Sequence, residues 1–157
     1  MRITLIFIGK TETPFFTEGI NEYLRRIKYY ANLTVKNIQT SKNARKTSAE
    51  NQRKKEGELI LSKVPKSSEL HLFDETGKMY SSKEFASFIE KRMVSGLKEL
   101  IFVVGGPYGF SPEVYKRANS TVSLSRMTFS HQMARILCTE QIYRAYTIIN
   151  GEPYHHD

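Results

Sequence analysis

The sequence has one cysteine, no tryptophan, five prolines and no apolar run long enough to cross a membrane. Each absence excludes something. Cys138 alone cannot close an internal disulfide. It sits in an apolar run, so a buried thiol in a reducing compartment is the default. No segment approaches the roughly 20 apolar residues that span a bilayer. The opening "MRITLIFIGK" does not read as a signal peptide: its apolar stretch is brief, no small-residue cleavage site follows, and Lys10 and Glu12 add charge. The chain is therefore expected in the cytoplasm, with no membrane partner. No cluster of His, Cys and carboxylates has metal-ligand spacing, so no metal is expected.

What is present fits one domain over residues 1–157. A chain of this length buries roughly 68–70% of its unfolded surface, enough for a core without staples. Hydrophobic residues make up 39% and charged residues 25%, the balance of a water-soluble globule. Lys plus Arg is 24 against 16 Asp plus Glu, a net charge of +8 and a pI of about 9.6. That excess favours a polyanionic partner such as nucleic acid or a ribosome, although many small basic proteins bind none.

Apolar spacing gives alternating strands and helices. "RITLIFIG" (2–9) reads as a first strand, and 14–30 as a helix with Phe16, Ile20, Tyr23, Leu24 and Ile27 on one stripe. A second strand covers 32–39. Residues 40–55 hold six basic residues and one acid; their second half opens a helix that continues through "EGELILSKV". A third strand spans 68–75, with "TGK" as a turn. Ser81 or Ser82 caps a helix to about 97, striped by Phe85, Phe88, Ile89 and Met93. "ELIFVV" (99–104) is a strand, 111–119 a helix with Ser N-cap and Pro first, 120–125 a last strand, and 131–150 a long helix ended by Gly151. This is α/β, with a mostly parallel sheet flanked by helices.

The strand 99–104 runs into "GGPYG" at 105–109. That spacing is neither G-x-G-x-x-G nor G-x-x-x-x-G-K-[ST], which removes dinucleotide and P-loop readings. Two readings stay open: a ligand approaching the backbone, or a tight turn with positive φ. A second strand-to-helix loop, 125–130 in "SLSRMTFSHQMAR", is expected at the same sheet edge. Backbone N–H and C=O groups of both loops, with Leu124, Met127 and Phe129, suit an adenine ring better than a triphosphate.

"VVGGPYG", "SLSRMTFSHQMAR", "EQIYRAY", the terminal "PYHHD" and "DETGK" at 74–78, in this order and spacing, resemble the RlmH family of SPOUT-class RNA methyltransferases. The likeness runs nearly end to end and is weakest over 36–56. Ser130 departs from it, since the family carries proline before the histidine. The resemblance implies a C-terminal deep trefoil knot, a homodimer, and S-adenosyl-L-methionine bound in the knot. It implies methylation of N3 of a pseudouridine in the helix 69 loop of 23S ribosomal RNA within the ribosome. The implied cofactor contacts are Phe73, Gly105, Gly106, Ser125, Arg126, Met127, Thr128, Phe129 and Ser130.

Methyl transfer to an imide nitrogen needs a positioned acceptor, loss of a proton, and a base or a cation to steady the anion. Arg144 follows Glu140 by four residues, the favoured order for a helical ion pair worth roughly 0.2–0.5 kcal/mol. Yet 11 of the 19 residues from 131 to 149 are hydrophobic, so Arg144 is expected in a pair or a cleft, with the helix covered by its sheet and a partner subunit. His131 opens that helix, where the dipole disfavours protonation; it either accepts a proton or holds the loop by hydrogen bonding. Tyr154 and His155 either wave in solvent or, as the resemblance implies, fold over an active site; His156 has no such support. Tyr108 is placed to stack on a splayed base, whereas Phe110 is expected to pack against the next helix. Lys42, Arg45, Lys46, Arg53, Lys54 and Lys55 either meet phosphates or simply face water. Other readings of the whole are a methyltransferase of tRNA or another rRNA base, and a ribosome-binding assembly factor without turnover.

Overall fold

The computed structural model describes residues 1–39 and 48–155. Lys42, Arg45, Lys46 and His156 lie outside the described residues. Five strands, β1 (Arg2–Ile8), β2 (Asn32–Ile38), β3 (Glu69–Met79), β4 (Glu99–Val104) and β5 (Ser120–Ser123), form one sheet in the order β2-β1-β4-β3-β5. Every pairing is parallel. The helices are α1 (Pro14–Ile27), α2 (Ala49–Ser62), α3 (Ser82–Val94), α4 (Pro112–Arg117) and α5 (His131–Ile149).

Side chains alternate across a strand, so each strand divides its apolar residues between two layers. Ile3, Leu5 and Phe7 of β1 share a core with Leu100, Phe102 and Val104 of β4, beneath α1, α3 and α5. Ile6 and Ile8 join Ile101 and Val103 on the opposite face, with Ile60 of α2 and Val114 of α4. The six residues of β4 are all buried, as expected of a central strand covered on both faces. Each of its large apolar side chains contributes about 1.5–3 kcal/mol by leaving water. Glu99 begins that strand and fixes its register: Arg2 Nε donates to it at 3.1 Å and Thr4 Oγ1 at 2.8 Å. Ser81 closes a reciprocal capping box with Glu84, which settles where α3 begins.

Three expectations need correction. The segment Thr76-Gly77-Lys78 is not a turn, because β3 runs on to Met79. Its register with β5 shifts between Phe73 and Lys78, both opposite Val122. A Cβ at Gly77 would lie 2.7 Å from the Val122 backbone, so glycine serves close strand approach rather than chain reversal. Met93 drops off the apolar stripe of α3 and is exposed, while Phe85, Phe88 and Ile89 are buried. α1 stops at Ile27, and residues 28–30 form a turn.

Candidate active site

β3 lies between β4 and β5, so the loops leaving those two strands flank its end at one edge of the sheet. Together they enclose a cavity of about 430 Å³, within the ordinary size for a small-molecule site. Gly105 and Gly106 come from the loop after β4, and Phe73 from β3. Ser125, Met127, Thr128, Phe129 and Ser130 come from the loop after β5, and His131 stands where α5 begins. Leu124, Met127 and Phe129 supply the apolar cover expected of them. Arg126 is not among the lining residues.

Local hydrogen bonds hold the second loop. Ser125 Oγ accepts from the Met127 N–H at 2.9 Å, and the Thr128 hydroxyl donates to Glu75 at 3.2 Å. Ser130 caps α5: its φ is −60° and its hydroxyl accepts from the Met133 N–H at 3.3 Å. The position is shaped as proline would have it, and the hydroxyl adds a cap that proline lacks.

The paired glycines have a cause that lies inside the protein. A Cβ at Gly105 would meet the Phe110 ring at 2.9 Å, and one at Gly106 would meet Glu56 Oε2 at 3.0 Å. Gly109 supplies the turn, with φ +73°. Gly105 thus lets the Phe110 ring, itself part of the cavity lining, close on the loop, while Gly106 lets Glu56 press against it from behind. Phe110 packs edge-to-face on Tyr115 of α4, as expected, and Tyr108 is half exposed.

Asp74 and Glu75 also line the cavity. Tyr115 donates to Asp74 at 2.5 Å, and Thr76 donates to it through both its N–H and its hydroxyl. Burial opposes the Asp74 charge, but these hydrogen bonds outweigh it and hold its pKa below the usual value. Burial and Asp74 push the Tyr115 phenol up to about 12. His131 titrates below its ordinary value, first because its ring is partly withdrawn from water and second because Arg135 lies near. The low value expected from its place at the helix start thus has two further physical causes.

Arg144, Tyr154 and His155 gather elsewhere. Arg144 sits 13 residues beyond His131, about 20 Å along the helix axis, and none of the three lines the cavity. The tail is not free in solvent. Tyr154 packs on Tyr143 with ring centres 4.7 Å apart, and its hydroxyl donates to Glu140 at 3.2 Å. His155 Nδ1 lies 3.4 Å from Arg144 Nη1. Burial and the Tyr23 hydroxyl raise the Tyr154 pKa, so the phenol keeps its proton.

Two residues escaped the sequence reading. Glu56 is buried on α2, and Arg135 is buried on α5, where its guanidinium donates to the Ile8 carbonyl and the Thr11 hydroxyl. Glu56 stands four residues before buried Ile60, and that spacing was the available signal. Among the described residues no group of three or more His, Cys, Asp or Glu side chains could hold a metal, and no helix is long and apolar enough to cross a membrane.

Comparison with known proteins adds to this geometry. The family described as "Predicted SPOUT methyltransferase" matches residues 1–155. A protein of Parabacteroides distasonis named "Ribosomal RNA large subunit methyltransferase H" is 51% identical over 157 residues, the whole of both chains. Proteins of the same name from Christiangramia forsetii (52% over 156 residues, 99% of each chain) and Porphyromonas gingivalis (46% over 157 residues, the whole of both) are similarly close.

Proposed function

The chain belongs to the SPOUT methyltransferase family, among the ribosomal RNA large subunit methyltransferases H, and from that premise we propose that it methylates N3 of pseudouridine 1915 in the helix 69 loop of 23S ribosomal RNA, in the assembled ribosome. The observation that carries this reading is the cavity between the two loops, in a chain similar to these enzymes over its full length. Its edges at Gly105, Gly106, Ser125 and 127–130, with Leu124, Met127 and Phe129 as cover, fit an adenosyl group. S-adenosyl-L-methionine is the proposed cofactor, supplying an electrophilic methyl group with no need of a metal.

The imide must lose its proton to become a nucleophile. Arg144 is the residue assigned to steady the resulting anion, with Tyr154 and His155 beside it and His131, neutral, at the cavity rim. Arg144 lies far along α5 from its own cavity, so this assignment calls for a second copy of the chain. Leu137, Gln141, Arg144 and Ile148 form one half-exposed stripe on α5, an otherwise well-buried helix. That stripe is the face assigned to a homodimer in which each Arg144 serves the partner's cavity. Exposed Tyr108, Arg53, Lys54 and Lys55 are the proposed RNA contacts. The knot, the single-domain organisation and a cytoplasmic location belong to the same proposal.

The test is to incubate the protein and methyl-labelled S-adenosyl-L-methionine with intact ribosomes, free large subunits and tRNA. Label at one pseudouridine of 23S RNA in intact ribosomes is the expected result. Label in tRNA alone would overturn the substrate assignment, and absence of label with cofactor bound would favour an assembly factor.

A further inference from the structure

Glu56 lies in the charged run "RKKEGE", yet only 3% of its surface is exposed. The cause is α2, which turns its Glu56–Gly57 side onto the loop after β4; a Cβ at Gly57 would collide with the Ser111 hydroxyl. Gln52 donates to Glu56 Oε1 at 2.9 Å, and Oε2 has no hydrogen-bond partner among the described residues. That free oxygen is the one facing Gly106, one backbone layer behind the cavity. Burial raises the pKa of the group and the Gln52 hydrogen bond opposes it; among the described residues no cation does. Asp74 and Glu75 in the cavity wall are likewise held by hydroxyl and amide groups. Among the described residues none of these three carboxylates joins an ion pair. In a chain of net charge +8, a negative centre left without a counter-charge at one cavity is not a consequence of composition.

We propose that Glu56 determines the cavity's specificity for ligand charge, favouring a molecule with a positive centre over the same molecule once that charge is gone. The inference rests on reading the cavity as the methyl-donor site. A carboxylate behind a single layer of backbone is poorly screened, so it attracts a sulfonium through the loop. In transfer, the new N–C bond takes the electron pair of the acceptor nitrogen. The S–C bond breaks with its pair left on sulfur, which becomes a neutral thioether. The attraction then lapses, and the spent cofactor is released in preference to the fresh one.

The experiment is calorimetric titration of the full chain at about pH 8, set well above the ordinary carboxylate range because burial raises the Glu56 pKa. Three probes are used: S-adenosylmethionine, S-adenosylhomocysteine, and sinefungin, whose amine cation replaces the sulfonium. Wild type is expected to bind the two cations about tenfold or more tighter than the thioether. Glu56→Gln, of the same shape without the charge, is expected to cut that ratio to about threefold or less and to leave thioether affinity within about twofold. Glu56→Met, of similar length, must do the same, which keeps the test alive if the amide variant misfolds. Equal loss for all three probes would make Glu56 merely structural and overturn the proposal. So would equal binding of all three by wild type, a result that leaves the donor site standing. Failure of wild type to bind any probe would refute the donor site itself, and this inference with it.

Discussion

Arg144 grips a single oxygen of Glu140 with two nitrogens, Nε at 2.9 Å and Nη2 at 2.6 Å. The guanidinium also lies 4.7 Å from the centre of the Tyr154 ring. Burial works against its charge, but Glu140 holds the Arg144 pKa above the ordinary arginine value. A charged group fixed from two sides, with Nη1 turned towards His155, is preorganised to meet an anion.

Arg144→Ala therefore separates structure from chemistry. Methyl transfer is expected to fall by about 10²–10³-fold, the loss typical of removing one preorganised donor. Cofactor affinity, measured by calorimetry, is expected to stay within about twofold, because Arg144 is assigned to the acceptor base and not to the cofactor. Glu140 loses its ion pair, so stability should drop by about 1–3 kcal/mol. Full activity in a folded variant would remove Arg144 from the mechanism.

The distance between Arg144 and its own cavity gives a second test. Co-expression of Arg144→Ala and Gly106→Val chains, each inactive alone, is expected to restore about one quarter of wild-type turnover. In a two-fold dimer, half of the pairs are mixed and each holds one intact composite site. A site built within one chain would show no recovery in the same assay.

Gly106→Val is expected to weaken S-adenosylmethionine binding more than about 100-fold. The mutation places a branched side chain where even a Cβ stands 3.0 Å from Glu56 Oε2, so the loop must move. Calorimetry measures the loss, and far-ultraviolet dichroism checks that the sheet persists. Unchanged affinity would show that this loop does not shape the site.

Much of this was legible because apolar runs report burial. "ELIFVV" is apolar from Leu100 onward and lies in the sheet centre; Ile3, Leu5 and Phe7 alternate and lie under helices. The two loops fell where parallel strands must place them. What local sequence could not carry was long-range approach. Gly77 looks like a turn glycine until Val122 is seen beside it, and Gly105 and Gly106 look like room for a ligand until Phe110 and Glu56 fill that side. Glu56 reads as one charge in a solvated run, because only the packing of α2 against the loop buries it. The ion pair Glu140–Arg144 was visible in its i,i+4 spacing, but its place about 20 Å along α5 from the cavity rim required the fold.

Stability should fall on mild acidification, and His71 is the main cause. Its ring is fully buried between Phe88 and Phe102, with Ser120 2.8 Å from Nδ1 and Glu69 3.0 Å from Nε2. Burial outweighs the help of Glu69 and lowers its pKa from 6.5 to about 4. Between those values the unfolded chain binds a proton that the folded chain refuses, so stability is full above pH 6.5 and is lost as pH falls towards 4. The full loss is about 3 kcal/mol. Glu69, Glu99 and Asp74, whose pKa values are lowered, act below their unfolded range; within this window His131, whose pKa is also lowered, adds to the decline, and Glu56, whose pKa is raised, opposes it. Urea unfolding from pH 7 to 5 should show the decline in wild type, and His71→Gln should make it shallower. A wild-type midpoint unchanged over that range would contradict the assignment.

The most direct measurement is amide hydrogen exchange of the whole chain with and without S-adenosylmethionine. Protection confined to 105–110 and 124–130, with the end of β3 at Phe73–Glu75, is the predicted outcome. Binding that leaves those amides unchanged and protects another part of the sheet would show that the donor sits elsewhere.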